Sequence, residues 1–450
     1  MTTPVALALP GVSWEADLVA ALERCDQVRL VRRCVELAEV LALAQTGQVR
    51  AALLGAGLRG LDREAVARLR ASRVAVVGLV GQVGQGQAGV GSAQDRLRAL
   101  GVDRHVTVEA DLAASVAEII RAVQACAQDP AGAVAWSDPA HALEDTDSGT
   151  GAGFTAPSGG LGGAADLVPG PPAEVGAARL VAVWGPAGAP GRSTVAVNVA
   201  GEAARAGVST LLADADVYGG SVATMLGLLD ESAGLAAATR LAGSGSLDAA
   251  GLARLAPAVT SGLRVLTGLS RPQRWPELRP AALTVVWQRC RELAALTVVD
   301  CGFSLERDEE LSFDTLAPRR NGATLATLTE ADEVLALCRA DPVGVARFVR
   351  ALPELRELRG DRPLRVVLTA VRSAVVGSGP QRQLREALVR YAGVSDTLAL
   401  PDDRPACDRA MREGRLLHEV APRSGLRQAI AGLARDVAGL PTPARRLRRA

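Results

Sequence analysis

The sequence predicts an α/β protein throughout: a small doubly wound parallel sheet, a linker, and a second, larger doubly wound and mainly parallel sheet. Three observations carry that prediction. Short apolar runs alternate with stretches of helical periodicity over residues 1–125. Composition then shifts abruptly over 126–178. Finally "VAVWGPAGAPGRST" (181–194) reads as strand, glycine-rich turn and helix start, and later strands end in aspartate.

In the first part, "VALAL" (5–9), "QVRLV" (27–31), "VRAALLG" (49–55), "VAVVGLVG" (74–81) and "HVTVEA" (105–110) read as strands. Between and after them, "WEADLVAALERC", "REAVARLRAS" and "LAASVAEIIRAVQA" repeat apolar residues three or four apart, as amphipathic helices do. Five such units imply a flavodoxin-like parallel sheet. In length and strand pattern this domain resembles a response-regulator receiver. That resemblance implies an acidic pair after the first strand, an aspartate ending the third and a lysine after the fifth. Pro10 and Gly11, Leu54 and Gly55, and Glu109 stand at or near those places instead. The expectation is a pseudo-receiver used for contacts. "GQGQAG" (84–89) fits G-x-G-x-x-G with Glu109 20 residues on, yet it follows the fourth strand, whereas a dinucleotide fingerprint opens the first βα turn. It reads as a glycine loop.

Residues 126–178 include "GTGAGFTAPSGGLGGAADLVPGPPAEVG", with no arginine between Arg121 and Arg179. Such a segment offers too little apolar surface to offset its ordering entropy, so a disordered linker is expected. A second α/β domain follows over 179–438, then a basic tail, 439–450, with four arginines. Those four charges offer anionic lipid about 1 kcal/mol each near its surface, so membrane contact is expected to be peripheral at most.

Composition narrows the function. The net charge is +1, aromatics are 2% of residues, and all 50 basic side chains are arginine. No global field or stacking platform favours nucleic acid, although DNA stays open as a partner because net charge says nothing of a local basic face. Seven cysteines without C-x-x-C, a start that lacks a basic n-region, and no apolar run of ~20 residues predict a soluble, cytoplasmic protein. His105, His141 and His418 are too scattered for a histidine metal site or a serine triad.

The loop after "RLVAVWG" aims backbone N–H groups and a helix's positive end at one point, which suits an anion. By itself it is equally an ordinary tight βα turn. The strand "VSTLLADAD" then ends in Asp214 and Asp216, and "LAALTVVDCG" ends in Asp300. Carboxylates at strand ends beside a phosphate loop suit Mg²⁺ and an attacking water. Cys301 beside them reads as a packed thiol, and "ERDEELSFD" (306–314) as a solvated face.

With these motifs in order, residues 179–438 resemble the MinD/ParA superfamily of deviant P-loop ATPases. "GPAGAPGRST" stands for its phosphate loop, "LLADAD" for switch I, and "VVDCG" for Walker B and switch II. "PLRVVLTAVRS" and "LALPDDRPACDRAMREGRLLHEVAPRS" stand for the segments that close the nucleotide site. With the receiver-like front half, the chain resembles the CpaE/TadZ branch, which positions pilus machinery; its relatives place septa and chromosomes.

The resemblance implies ATP and Mg²⁺ as cofactors, with phosphates on Gly188, Gly191, Arg192, Ser193 and Thr194. It implies metal on Ser193, Asp214 and Asp300, and catalysis through Arg192 and Asp216. Thr369 stands where the family reads adenine with asparagine, and Pro401 opens the closing segment. Implied partners are a second copy and proteins of a polar, pilus or division assembly, at the cytoplasmic membrane face or a pole. A nucleotide-free scaffold is the alternative.

The departures are specific. Arg192 replaces the loop lysine, and Ala187 replaces the signature lysine that crosses the family's dimer. Pro186 and Pro190 offer no N–H. Arginine keeps the charge but is bulkier and forked, so binding with slow or absent turnover is expected. Limited proteolysis of the full chain should cut first between about residues 127 and 178, leaving two stable fragments; first cuts within 179–438 would show the boundary to be misplaced.

Overall fold

The computed structural model describes residues 2–81, 87–128, 178–188, 191–228, 233–307 and 318–441. Most of the expected linker, part of "GQGQAG", Pro190, most of the acidic run and the arginine-rich tail lie outside these residues. The chain divides into two units, here taken separately.

In the first unit, β1 (Thr3–Ala8), β2 (Val28–Arg33), β3 (Ala51–Gly55), β4 (Ala75–Gly81) and β5 (His105–Val108) form one sheet in the order β2-β1-β3-β4-β5. All its pairings are parallel, which is the flavodoxin-like winding. The connecting helices are α1 (Glu15–Glu23), α2 (Leu37–Gln45), α3 (Arg63–Ala71), α4 (Gln87–Ala99) and α5 (Leu112–Gln128). Strand β3 is buried along its whole length, as a central parallel strand covered on both faces must be. Val5, Leu7, Leu53, Val77 and Leu79 pack with Ile119 and with Trp14. Gly81 has a steric reason: a Cβ there would lie 2.0 Å from the Trp14 indole nitrogen.

The second unit is built on eight strands: β6 (Arg179–Trp184), β7 (Thr210–Ala215), β8 (Ala258–Thr260), β9 (Leu263–Leu266), β10 (Leu296–Cys301), β11 (Glu333–Arg339), β12 (Leu364–Val371) and β13 (Thr397–Pro401). Their order is β13-β12-β11-β6-β10-β7-β9-β8, parallel except for the β8–β9 edge hairpin. The first strand, β6, therefore lies between β10 and β11, and the winding reverses there. Ligands of open α/β sheets bind outside the carboxyl ends of the strands at such a reversal.

The helices of this unit are α6 (Arg192–Arg205), α7 (Val222–Met225), α8 (Gly234–Gly243), α9 (Ala249–Leu255), α10 (Pro280–Leu293), α11 (Gly322–Glu330), α12 (Pro342–Arg359), α13 (Ser373–Val376), α14 (Pro380–Ala392), α15 (Arg404–Glu413), α16 (Leu417–Val420) and α17 (Gly425–Val437). Side chains alternate along each strand and so feed two cores. Leu180, Ala182 and Trp184 face one core with Trp287 and Phe348; Val181 and Val183 face the other with Val197, Val199 and Ile430.

Two arginines fix helices to this frame. Buried Glu202 on α6 takes both arms of Arg427 from α17, one at 2.7 Å, and Arg205 at 3.1 Å. Such bidentate, charge-assisted pairs lock orientation as well as position. Arg359, only 3% exposed, donates to the carbonyls of Leu328, Ala331, Asp332 and Pro363. Burial pulls its pKa down to about 10.

In the first unit, residues 9–11 after β1 and 56–58 after β3 contain no carboxylate. Incubation of the full chain with acetyl phosphate and Mg²⁺ should therefore give no stable phosphoryl mass gain on this unit, read by intact mass and peptide mapping. A phosphoaspartate within 1–125 would overturn the inactive-receiver reading.

Candidate functional site

Three strands of the second unit converge at the reversal. The loop after β6 runs through Gly185, Pro186, Ala187 and Gly188, and α6 begins after Gly191. Gly191 is the helix N-cap with φ 103°, in the left-handed region that a side chain rarely adopts, and no side chain caps the helix. Among the described residues, therefore, no cap side chain takes up the first-turn N–H groups of α6. Gly188 has φ 71°, and a Cβ there would fall 1.9 Å from a guanidinium nitrogen of Arg347 on α12.

Asp300 and Asp214 are direct cross-strand partners in the β10–β7 register. Adjacent strands lie about 4.8 Å apart, so the register brings these two carboxylates together. Asp214 is buried and accepts N–H groups from Asp216 at 3.2 Å and Val222 at 3.1 Å. Burial raises its pKa to about 6; the two N–H donors act against that, and the Asp216 charge adds to it. Gly220 and Gly268 pack bare backbone on this carboxylate, and a Cβ at 268 would lie 2.7 Å from its Cγ.

Asp300 is fully buried, and among the described residues neither carboxylate oxygen has a hydrogen-bond partner of ordinary geometry. Burial first, then the charge of Asp214, push its pKa well above the usual carboxylate range; the nearby Ser193 hydroxyl and Arg192 act the other way. Burial likewise raises the thiol of Cys301, so this cysteine is the packed residue the sequence suggested.

Asp216 follows β7 and makes a turn, accepting the N–H groups of Tyr218 at 2.9 Å and Gly219 at 3.3 Å. It also forms an ion pair with Arg192 at 3.3 Å. A second arm of Arg192 donates to the Gly185 carbonyl at 3.3 Å, and its guanidinium lies 6.0 Å from the centre of the Phe303 ring. The loop arginine is thus turned toward the turn that follows β7. Thr194 lies in the first turn of α6, and its carbonyl accepts Asn198 at 2.8 Å, which in turn accepts the N–H of Leu417 at 2.8 Å.

Gly188, Gly191, Arg192, Ser193, Thr194, Asp214, Asp216 and Asp300 therefore share one edge of the sheet. Thr369 and Pro401 lie at the ends of β12 and β13, two and three strands from β6. Thr369 is buried, and the next residue, Ala370, has φ 53° at an irregularity in the β12–β13 register.

Sequence reasoning did not find Tyr218, Asn321 and Arg347. Tyr218 packs on Phe303 at 4.6 Å between centroids, and its hydroxyl donates to Asn321 at 2.7 Å. Asn321 donates to the Glu306 carbonyl at 2.9 Å, so the segments after β7 and β10 are joined. The one available signal was the scarcity of aromatics: Tyr218 and Phe303 each follow a strand-end aspartate within three residues.

An open parallel sheet with a glycine-capped helix after its first strand, and aspartates ending two neighbouring strands, is the architecture of a P-loop NTPase. Residues 176–243, from just before β6 to the end of α8, match the ParA family model, described as NUBPL iron-transfer P-loop NTPase, which supports a ParA/MinD-type domain here. Among solved structures, the chain is similar to a ParA family ATPase from Chlorobium tepidum at 17% identity, covering 57% of this chain and 98% of that one with a TM-score of 0.48. It is similar to the septum site-determining protein MinD with Mg-ADP from Pyrococcus horikoshii at 16% identity, covering 58% and 96%, with a TM-score of 0.45. It is also similar to an McdA–ATP complex from Cyanothece at 16% identity, covering 60% and 99%, with a TM-score of 0.46. Comparison with curated proteins gives no match.

A buried carboxylate beside the like charges of Asp214 and Asp216 lowers the stability of the ligand-free protein. Asp300→Asn should raise that stability, on the order of 1–3 kcal/mol, because the amide carries no charge to repel Asp214 and Asp216. Denaturant unfolding without nucleotide or Mg²⁺ checks this; a less stable variant would show that the carboxylate serves the fold.

Proposed function

We propose that residues 179–438 bind ATP with Mg²⁺ and act as a slow switch in a MinD/ParA-like positioning or assembly factor. The observation that carries this reading is Asp300: a fully buried carboxylate whose oxygens make no well-formed hydrogen bond among the described residues, with the Ser193 hydroxyl nearby at a helix N-terminus that opens on Gly191. Burial and the Asp214 charge disfavour the ionised carboxylate unless a cation binds it, and this donor set fits a hard cation next to a phosphate. Ser193 and Asp300, with Asp214 behind them, would hold the Mg²⁺. The N–H groups of the first turn of α6 and the charge of Arg192 would hold phosphate oxygens. When bound, Mg²⁺ supplies charge neutralisation between phosphates.

Arg192 must leave Asp216 to serve that role, so phosphate and Asp216 compete for one guanidinium. That competition gives switch I two arrangements, and Tyr218 and Asn321 carry the difference to the segment after β10. Asp216, once released, is free to orient water. Turnover is slow because Ala187 lacks the charge that the family's lysine brings to the transition state. One missing preorganised donor costs roughly 10²–10³-fold in rate.

We further assign the chain to the CpaE/TadZ type, with an inactive receiver as a contact module and pilus machinery as cargo. Septum and chromosome placement are the family's other uses. No helix among the described residues is long and apolar enough to cross a membrane. The second reading, a nucleotide-free scaffold, is favoured by one observation: Arg192 already finds its counter-ion in Asp216.

Calorimetry with ATP and Mg²⁺, alongside phosphate release, separates the two. Wild type should bind ATP and release phosphate far more slowly than lysine-bearing relatives. Arg192→Ala should lose most of the affinity. Asp216→Ala should bind more tightly and hydrolyse less, because it frees the arginine and removes the water-orienting carboxylate. No binding at millimolar ATP would select the scaffold, and brisk hydrolysis dependent on Asp216 would refute the slow switch.

A further inference from the structure

We infer that Arg347 is a second phosphate-contacting cation of this site, supplied within the same chain from α12. The inference rests on the nucleotide-site reading above and names a residue which that reading does not use. Arg347 sits in the second turn of α12 with its side chain exposed, yet one arm reaches the phosphate loop and donates to the Ala187 carbonyl at 3.1 Å. That nitrogen lies 1.9 Å from where a Cβ on Gly188 would be. The guanidinium therefore rests directly on the loop at its bare glycine, in the space any side chain at 188 would need.

Charge bookkeeping sharpens the point. Among the described residues Arg347 has no carboxylate partner, whereas Arg192 is bound to Asp216. A guanidinium has five donors, and a single carbonyl uses one of its arms. The remaining donors have no further partner among the described residues, beside a loop where Ala187 brings no charge and Pro186 no N–H. A phosphate arriving on α6 meets an arginine already in place and not committed to an acid. Because the fork matches phosphate oxygens in pairs, it would bind a polyphosphate better than a monophosphate.

The test compares ATP, ADP, AMP and pyrophosphate binding to the full chain by calorimetry, at low and high salt. Variants are Arg347→Ala, Arg347→Lys and Arg192→Ala. Arg347→Ala should weaken ATP and pyrophosphate roughly five- to tenfold and leave AMP nearly unchanged. Arg347→Lys should recover part of the loss. The difference should shrink at high salt, because the cation is exposed. If Arg347 only braces the loop, its alanine variant will weaken all four ligands alike and lower the unfolding midpoint, which overturns the inference. Wild-type affinity in Arg347→Ala, with loss in Arg192→Ala, overturns the inference and leaves the nucleotide site standing. If wild type binds none of the ligands, both readings fall.

Discussion

The β7–β10 register is the constraint on which the rest of the site depends. By pairing Asp214 with Asp300 it sets two carboxylates side by side on neighbouring strands in a dry interior, and Asp216 adds a third two residues on. Backbone N–H groups satisfy Asp214, a turn and Arg192 satisfy Asp216, and Asp300 is left over. Like charges at this spacing repel strongly where water is excluded. The sheet therefore stores an imbalance at its carboxyl edge that a cation would relieve. The glycines at 220 and 268 bring bare backbone against the Asp214 carboxylate.

Much of this architecture was legible in the sequence because parallel sheets are written in apolar runs. The run at 5–9 lies on Thr3–Ala8, and that at 74–81 on Ala75–Gly81. The second strand was read too short, since Arg32 and Arg33 end an edge strand whose exposed positions carry charge and hide the pattern. The hairpin β8–β9 was missed altogether; strands of three and four residues give no periodicity to count. Asp214, Asp216 and Asp300 were legible because a strand end followed by an acid is a local signal.

The contacts that organise those acids are not local. Tyr218 meets Asn321 across 103 residues, and Arg347 meets Ala187 across 160. No spacing rule reaches that far. The orientation of Arg192 was equally hidden. From its place in the loop it reads as a phosphate ligand, and only the fold shows that it pairs with Asp216 after β7.

The carbonyl nest around Arg359 shows what a chain with only one kind of cation can build. A guanidinium reaches four main-chain oxygens because its donors are spread across a plane; an ammonium, with three donors at one point, would leave some of them bare. The same uniformity has a chemical corollary. With no lysine in the sequence, acetyl transfer and isopeptide tagging find no side-chain amine anywhere on this surface. Covalent control of its side chains falls instead to hydroxyls, thiols, carboxylates, imidazoles or guanidinium groups.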